Sequence, residues 1–307
     1  MEKKTLTKIY IIMALIFGAC LLAGTFYDLP MAESLYSGDS IASDTISFLA
    51  FYLFFGSCMF FLGALLRQLL SSSLKRPGKI ISVIAFTYLF LSTATLGGGG
   101  FLDCRLLRPL TYEIDVSFPN CLILGSVLLL PLFVLGIVSN GSRYEKKDVK
   151  AMAKLIIIMT MTFMISTYFN CTIIRPCYRS VLTEGGTGFT PWYHLSGTGK
   201  LFMSLQDLIS PHEGSFICGH AMYAVLFLII IPSFTMVFRG LKGKEKILTA
   251  VALVFTVPII LSRLISGDNY LTDIALGGIS AVKICFSFSV LDKGNRKSLI
   301  SRIRGKK

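Results

Sequence analysis

Charge is what this chain has least of. Only 15% of its 307 residues are Asp, Glu, Lys or Arg, against about 25% in an ordinary soluble domain. Hydrophobic residues make up 53%, and the mean hydropathy is +0.70. That balance excludes a soluble globular class and points to a chain that crosses a membrane repeatedly. No CxxC pair, no zinc-ligand spacing, no 20–50-residue repeat and no long low-complexity tract is present. Those gaps argue against a structural zinc domain and a solenoid. No metal or cofactor is expected.

Long apolar runs are abundant. A spanning helix needs about 20 mostly apolar residues, and eight windows qualify: 9–27, 45–66, 80–97, 118–138, 152–174, 220–238, 247–264 and 270–291. The first follows Glu2-Lys3-Lys4 as a signal peptide would. No small-residue cleavage site follows it, so a retained helix is expected. The expected fold class is therefore all-α, a polytopic membrane bundle of about eight helices. Gly97-Gly98-Gly99-Gly100 closes the third window and reads as a helix stop with a flexible loop.

The formal net charge of +13 resembles a nucleic-acid signature until it is mapped. Basic residues cluster before segment 1, between segments 2 and 3, 4 and 5, 6 and 7, and after segment 8. Those clusters hold 23 of the 30 Lys and Arg residues and only five acids. Every second connection is basic, which is the positive-inside pattern. Both termini are expected in the cytoplasm of a multi-pass cell-membrane protein. The basic tail 293–307 is expected to meet anionic headgroups. Membrane lipids, not nucleic acid, are the expected partners, and no oligomeric state follows from the residues.

Eight cysteines are present. Cys20, Cys58, Cys171 and Cys285 fall in or near apolar windows and read as small hydrophobes. Cys104, Cys121, Cys177 and Cys218 map to or near the opposite side, where a disulfide is an open alternative. The connection 175–219 is long for a membrane protein. It holds Arg175, Arg179, Phe189, Trp192, Tyr193, His194, Lys200 and His212. Its aromatics read as an interfacial belt.

Alternation places Arg175, Arg179, His220, Arg263, Asn269 and Asp273 at one depth, on the side away from the basic clusters. Arginine presents a fork of donors to phosphate oxygens, and helix N-termini present free N–H groups. A lone arginine there would snorkel to headgroups; six polar groups together argue for a phosphate site. Asn269 and Asp273 are four apart, which on a helix is one face. Asp268, the next residue round, is expected to point elsewhere. Lys283, midway along segment 8, carries no assigned role.

Three segments give the chain a family likeness. Ser262-Arg263, five residues, Asn269, three residues and Asp273 resemble Ser-Arg-x5-His-x3-Asp. Ile217-Cys218-Gly219-His220 resembles Pro-Ser-Gly-His. A first motif, Lys-x6-Arg-Pro, fits in two registers: Tyr168 with Arg175-Pro176, or Asn170 with Cys177 inside Ile174-Arg175-Pro176-Cys177-Tyr178-Arg179. Taken together they resemble the type-2 phosphatidic acid phosphatase superfamily, which shares its core with vanadium haloperoxidases. Gly24-Thr25-Phe26-Tyr27-Asp28-Leu29 and Phe189-Thr190-Pro191-Trp192-Tyr193 look like bacterial members.

The resemblance implies a membrane phosphatase of lipid phosphates or isoprenoid diphosphates, acting at the outer leaflet. It implies helices 1–4 in 1–140, a phosphatase-like core in 141–292 and the basic tail beyond. It makes His220 the general acid, Asp273 the orienter and position 269 the nucleophile. Arg263, Arg175, Arg179, Cys218 and Gly219 become the phosphate-binding set. Asn269 has no ionisable nitrogen, however, and neither register supplies the lysine. The phosphatase scaffold is therefore expected with impaired catalysis, and the competing class is an inactive lipid-phosphate-binding or regulatory membrane protein.

Overall fold

The structure is a computed structural model and describes residues 3–38, 40–73, 75–111, 113–139, 146–183, 188–197, 204–209 and 214–290. Lys200, His212 and the basic tail 293–307 lie outside the described residues.

Eight long helices carry the fold: α1 (Lys3–Leu35), α2 (Ile41–Leu70), α3 (Arg76–Asp103), α4 (Phe118–Val138), α5 (Lys146–Thr172), α6 (Gly219–Ser233), α7 (Glu245–Ile265) and α8 (Leu271–Val290). Among the described residues, seven of these are long and apolar enough to cross a membrane. The chain is a polytopic helical membrane protein. The eighth window of the sequence is helical too, as α8, which carries Asp273 in its first turn and Lys283 near its middle. Helix starts follow local chemistry. Ser40 caps α2 by accepting from the Ser43 N–H at 3.3 Å. Proline stands in the first turn of α3 and of α4, where no backbone donor is needed. Among the described residues, the one strand ladder is β1 (Ile173–Ile174) against β2 (Ser196–Gly197), two residues each.

Helix α2 is the axis of the bundle, with 72% of its apolar span inside the protein. Phe54, Phe55, Met59, Phe60 and Phe61 are buried there, and α3, α4, α5, α6 and α7 pack around it. Helix α1 packs along α8, with Phe17 over Gly278. One hydrophobic cluster includes residues of both halves of the sequence, from Tyr10 to Cys285. The outward faces remain apolar, as Leu15, Leu22, Ile81, Tyr88, Val127, Val138, Ile247 and Val254 show. A backbone satisfied within helices and clothed in such residues suits hydrocarbon.

The four-glycine run is not a stop. Helix α3 continues through it to Asp103. A Cβ on Gly98 would come 1.7 Å from the Cys121 carbonyl oxygen, and one on Gly100 would come 2.1 Å from the Phe51 ring. The missing side chains let α3 lie directly on α4 and α2, the small-residue packing of membrane helices. Contact between helices here outweighs the poor helix propensity of glycine. All eight cysteines are free, so the disulfide alternative is not realised.

Candidate functional site

At one end of the bundle the chain encloses a cavity of about 460 Å3. Alternation builds it: α2 and α6 begin there, while α3, α5 and α7 end there. Asp44, Ser47, Phe48 and Phe51 face it from α2, and Phe163, Ser166, Thr167 and Asn170 from α5. Gly219, His220 and Tyr223 face it from α6, and Arg263 from the last turn of α7. The segment between α3 and α4 adds Arg105 and Arg108. The basic residues Arg67, Arg76, Lys242 and Lys246 fall near the other ends of these helices.

The turn between α7 and α8 sets the chemistry. Gly267 has φ +66°, the left-handed conformation that closes many helices. Helix α8 begins only at Leu271, so residues 268 and 269 are not helical. Asn269 and Asp273 therefore do not share a helix face, and Asp268 does not point away. Its side chain enters the cavity. Asp268 Oδ2 accepts from Arg263 Nη1 (2.9 Å) and Ser266 Oγ (2.8 Å), and Oδ1 pairs with Arg179 Nη2 (3.3 Å) and Arg105 Nη2. Burial opposes ionisation of Asp268. The guanidinium groups of Arg263, Arg105 and Arg179 outweigh it and hold the carboxyl below the usual carboxylate range.

Asn269 is 5% exposed and spends both ends of its amide. Its Oδ1 accepts from Arg263 Nε at 3.0 Å, and its Nδ2 donates to the Ser215 carbonyl at 2.6 Å. It makes no hydrogen bond to Asp273. That carboxylate is fully buried and turned to Arg175: Arg175 Nη1 meets Asp273 Oδ1 and Thr272 Oγ1 (2.8 Å). Arg175 Nη2 meets Asp28 Oδ2 at 2.8 Å, and Nε donates to the Thr190 carbonyl at 3.0 Å. The guanidinium also lies 4.3 Å from the centroid of the Tyr270 ring. Arg175 and Asp273 thus form an ion-pair cluster behind the cavity and do not line it. Arg175 is not brought to the phosphate set that the sequence implied for it.

That geometry separates the two registers of the first motif. Asn170 and Cys177 line the cavity; Tyr168 and Arg175 do not. Asn170 donates to the carbonyls of Ser166 (2.9 Å) and Ile217 (3.1 Å), tying α5 to the approach to α6. Cys218 stands as the N-cap of α6 and accepts from the Ala221 N–H at 3.4 Å, with a weak sulfur acceptor where serine would be stronger. A Cβ on Gly219 would come 2.5 Å from Ser166 Oγ, so α6 opens hard against α5. The His220 ring lies at the cavity wall, with centroids 5.8 Å from Tyr223 and 6.3 Å from Phe51.

Of the six groups expected at one depth, Arg179, His220, Arg263 and Asn269 line the cavity together. His194 sits in a single 3-10 turn away from it. The loop aromatics are not all interfacial. Trp192 donates to Thr25 Oγ1 of α1 at 3.1 Å and Phe189 packs on Tyr270, while Tyr193 is exposed. Arg105, Asp44 and Asp103 were not expected at the site. Their one sequence signal is position: charged residues at helix ends on the same side as the motifs.

Bundle and cavity together define a polytopic membrane protein with an arginine-lined chamber at one end. A family model described as PAP2 superfamily matches residues 149–296. This segment supports membership of the type-2 phosphatidic acid phosphatase superfamily, and with the apolar helices it fits a membrane phosphatase-like protein. No curated protein and no solved structure matches it.

Proposed function

We propose that the protein binds a phosphate-bearing membrane lipid, a lipid phosphate monoester or an isoprenoid diphosphate, and does not hydrolyse it. The observation that carries this reading is the state of Asn269. It stands where the family places its nucleophile, has no ionisable nitrogen, and is locked between Arg263 and Ser215. Loss of a nucleophile from a catalytic unit costs on the order of a millionfold. Around it, Asn170 replaces the lysine of the first motif, Cys177 its arginine, and Cys218 the serine of the second. Asp273, which would orient a histidine, is engaged by Arg175.

The binding half of the site is well furnished. Arg105, Arg179 and Arg263 converge on one point and offer forked donors suited to phosphate oxygens. Phe48, Phe51, Phe163 and Tyr223 give the same cavity an apolar wall for the start of a lipid chain. Its volume of about 460 Å3 falls within the roughly 300–1,000 Å3 of small-molecule sites. The basic patches at the opposite helix ends support both termini in the cytoplasm and a cavity open to the outer leaflet of the cell membrane.

Phosphate release from phosphatidate, lysophosphatidate and an isoprenoid diphosphate, in detergent, tests the reading. The wild type, Asn269→His and His220→Ala are expected to release none. Wild-type lysophosphatidate binding is expected to be lost in Arg263→Ala. Wild-type turnover that disappears in His220→Ala would establish hydrolysis instead.

A further inference from the structure

The three arginines that converge on the cavity already hold an anion, and it belongs to the protein. Asp268 Oδ1 takes Arg105 and Arg179, and Oδ2 takes Arg263 and the Ser266 hydroxyl. A carboxylate has about four acceptor sites on its two oxygens, and four donors fill them. These guanidinium groups are also the ones that a phosphate would need. The lining carries four arginines, at 105, 108, 179 and 263, against three aspartates, at 44, 103 and 268. The site is thus nearly neutral until Asp268 leaves it. Asp268 can leave without unwinding a helix, because it sits in a turn beside Gly267 and its side chain is 14% exposed.

We propose that Asp268 is an internal competitor, so that a phosphate monoester binds by displacing its carboxylate from Arg105, Arg179 and Arg263. The proposal rests on the reading that this cavity takes phosphate. Its consequence is selectivity. A tethered carboxylate competes at high effective concentration. A free fatty acid brings the same group in solution and gains little by the exchange. A phosphate dianion brings a third oxygen and a second charge, and it wins. Membranes supply fatty acids with chains as apolar as those of lipid phosphates, so the discrimination must come from the headgroup. Asp268 raises the threshold against the wrong anion, which is how specificity arises from repulsion as well as attraction.

The test compares the full-length wild type with Asp268→Asn in neutral detergent, by calorimetry, with lysophosphatidate, inorganic phosphate and oleate. The variant is expected to bind lysophosphatidate roughly tenfold or more tightly, about the worth of one charge-assisted hydrogen bond. It is also expected to acquire oleate binding that the wild type lacks. Tightening with inorganic phosphate as well identifies the free anion as sufficient, and tightening with lysophosphatidate alone identifies the lipid headgroup; both support the exchange. Equal lysophosphatidate affinity in the two proteins overturns the exchange and leaves the phosphate site standing. No binding by either protein overturns both. If the variant does not fold, wild-type protein labelled with 13C-aspartate gives the same answer by infrared difference spectroscopy. Ligand addition should then shift a carboxylate stretching band, and saturable binding without such a shift overturns the proposal.

Discussion

Replacing Arg175 with leucine should unfold this protein rather than empty its cavity. The side chain is fully buried, with carboxylates on two sides: Asp28 from α1 at 2.8 Å, and Asp273 from α8. Leucine fills part of the volume but leaves two buried acids facing one another, with the Thr190 carbonyl and Thr272 hydroxyl deprived of their donors. Breaking a buried ion pair by removing one partner costs about 3–5 kcal/mol. Two orphaned acids put this case at the upper end, a loss of roughly 4,000-fold in the folding equilibrium. Arg175→Lys keeps the charge but cannot span both acids with one planar fork, and should fall between. Arg179→Ala is the control: its side chain is 35% exposed and it meets Asp268 at 3.3 Å, so it should cost less than about 1 kcal/mol. Unfolding in graded mixtures of mild detergent and dodecyl sulfate measures all three. If Arg175→Leu proves as stable as wild type and loses lysophosphatidate affinity, Arg175 is a ligand residue. The separation of the two motif registers would then be refuted.

Asn269→Ala should destabilise by about 1–3 kcal/mol, because Arg263 Nε and the Ser215 carbonyl both lose their partner; the same unfolding titration reads it. Gly98→Ala should cost more than Gly100→Ala. The first drives a Cβ into the Cys121 backbone, and the second meets a Phe51 ring that can turn. Overpacking of this kind costs about 1–3 kcal/mol, and equal thermal midpoints would contradict the ranking. The depressed pKa of Asp268 stabilises the fold fully above the unfolded carboxylate value of about 3.9. That contribution is lost only as the pH falls through the lower folded value. The wild-type midpoint should therefore fall below about pH 4 more steeply than that of Asp268→Asn, and parallel curves would refute the assignment.

Most of the bundle can be read directly from the chain, because apolar length and the alternation of basic connections are local properties. The motif residues Arg263, His220 and Asn269 are legible for the same reason: each stands in a short run with fixed spacing. What was not legible depends on contacts across the chain. Arg105 meets Asp268 from 163 residues away, and no local pattern announces it. The glycine run reads as a break because its propensity is poor, and becomes helix only where the Cys121 backbone lies against it. The orientation of Asp268 turned on two residues. Had α8 begun at Asn269, Asp268 would have faced away. Gly267 and the turn after it bring it inward.

The Asp28–Arg175–Asp273 cluster also imposes an order of events on biogenesis. Asp28 bonds the backbone N–H of Thr272, 244 residues later. A ribosome adds about 5–20 residues per second, so α1 enters the bilayer roughly 10–50 s before its partner helix exists. For the first part of that interval, roughly 7–30 s until Arg175 is made, Asp28 sits near the end of an apolar helix without the guanidinium that neutralises it. A nascent chain stalled between residues 28 and 175 thus carries in α1 an acid without its counter-ion, which apolar surroundings make costly. The acid that fastens the finished bundle is, until Arg175 is made, what marks an unfinished one.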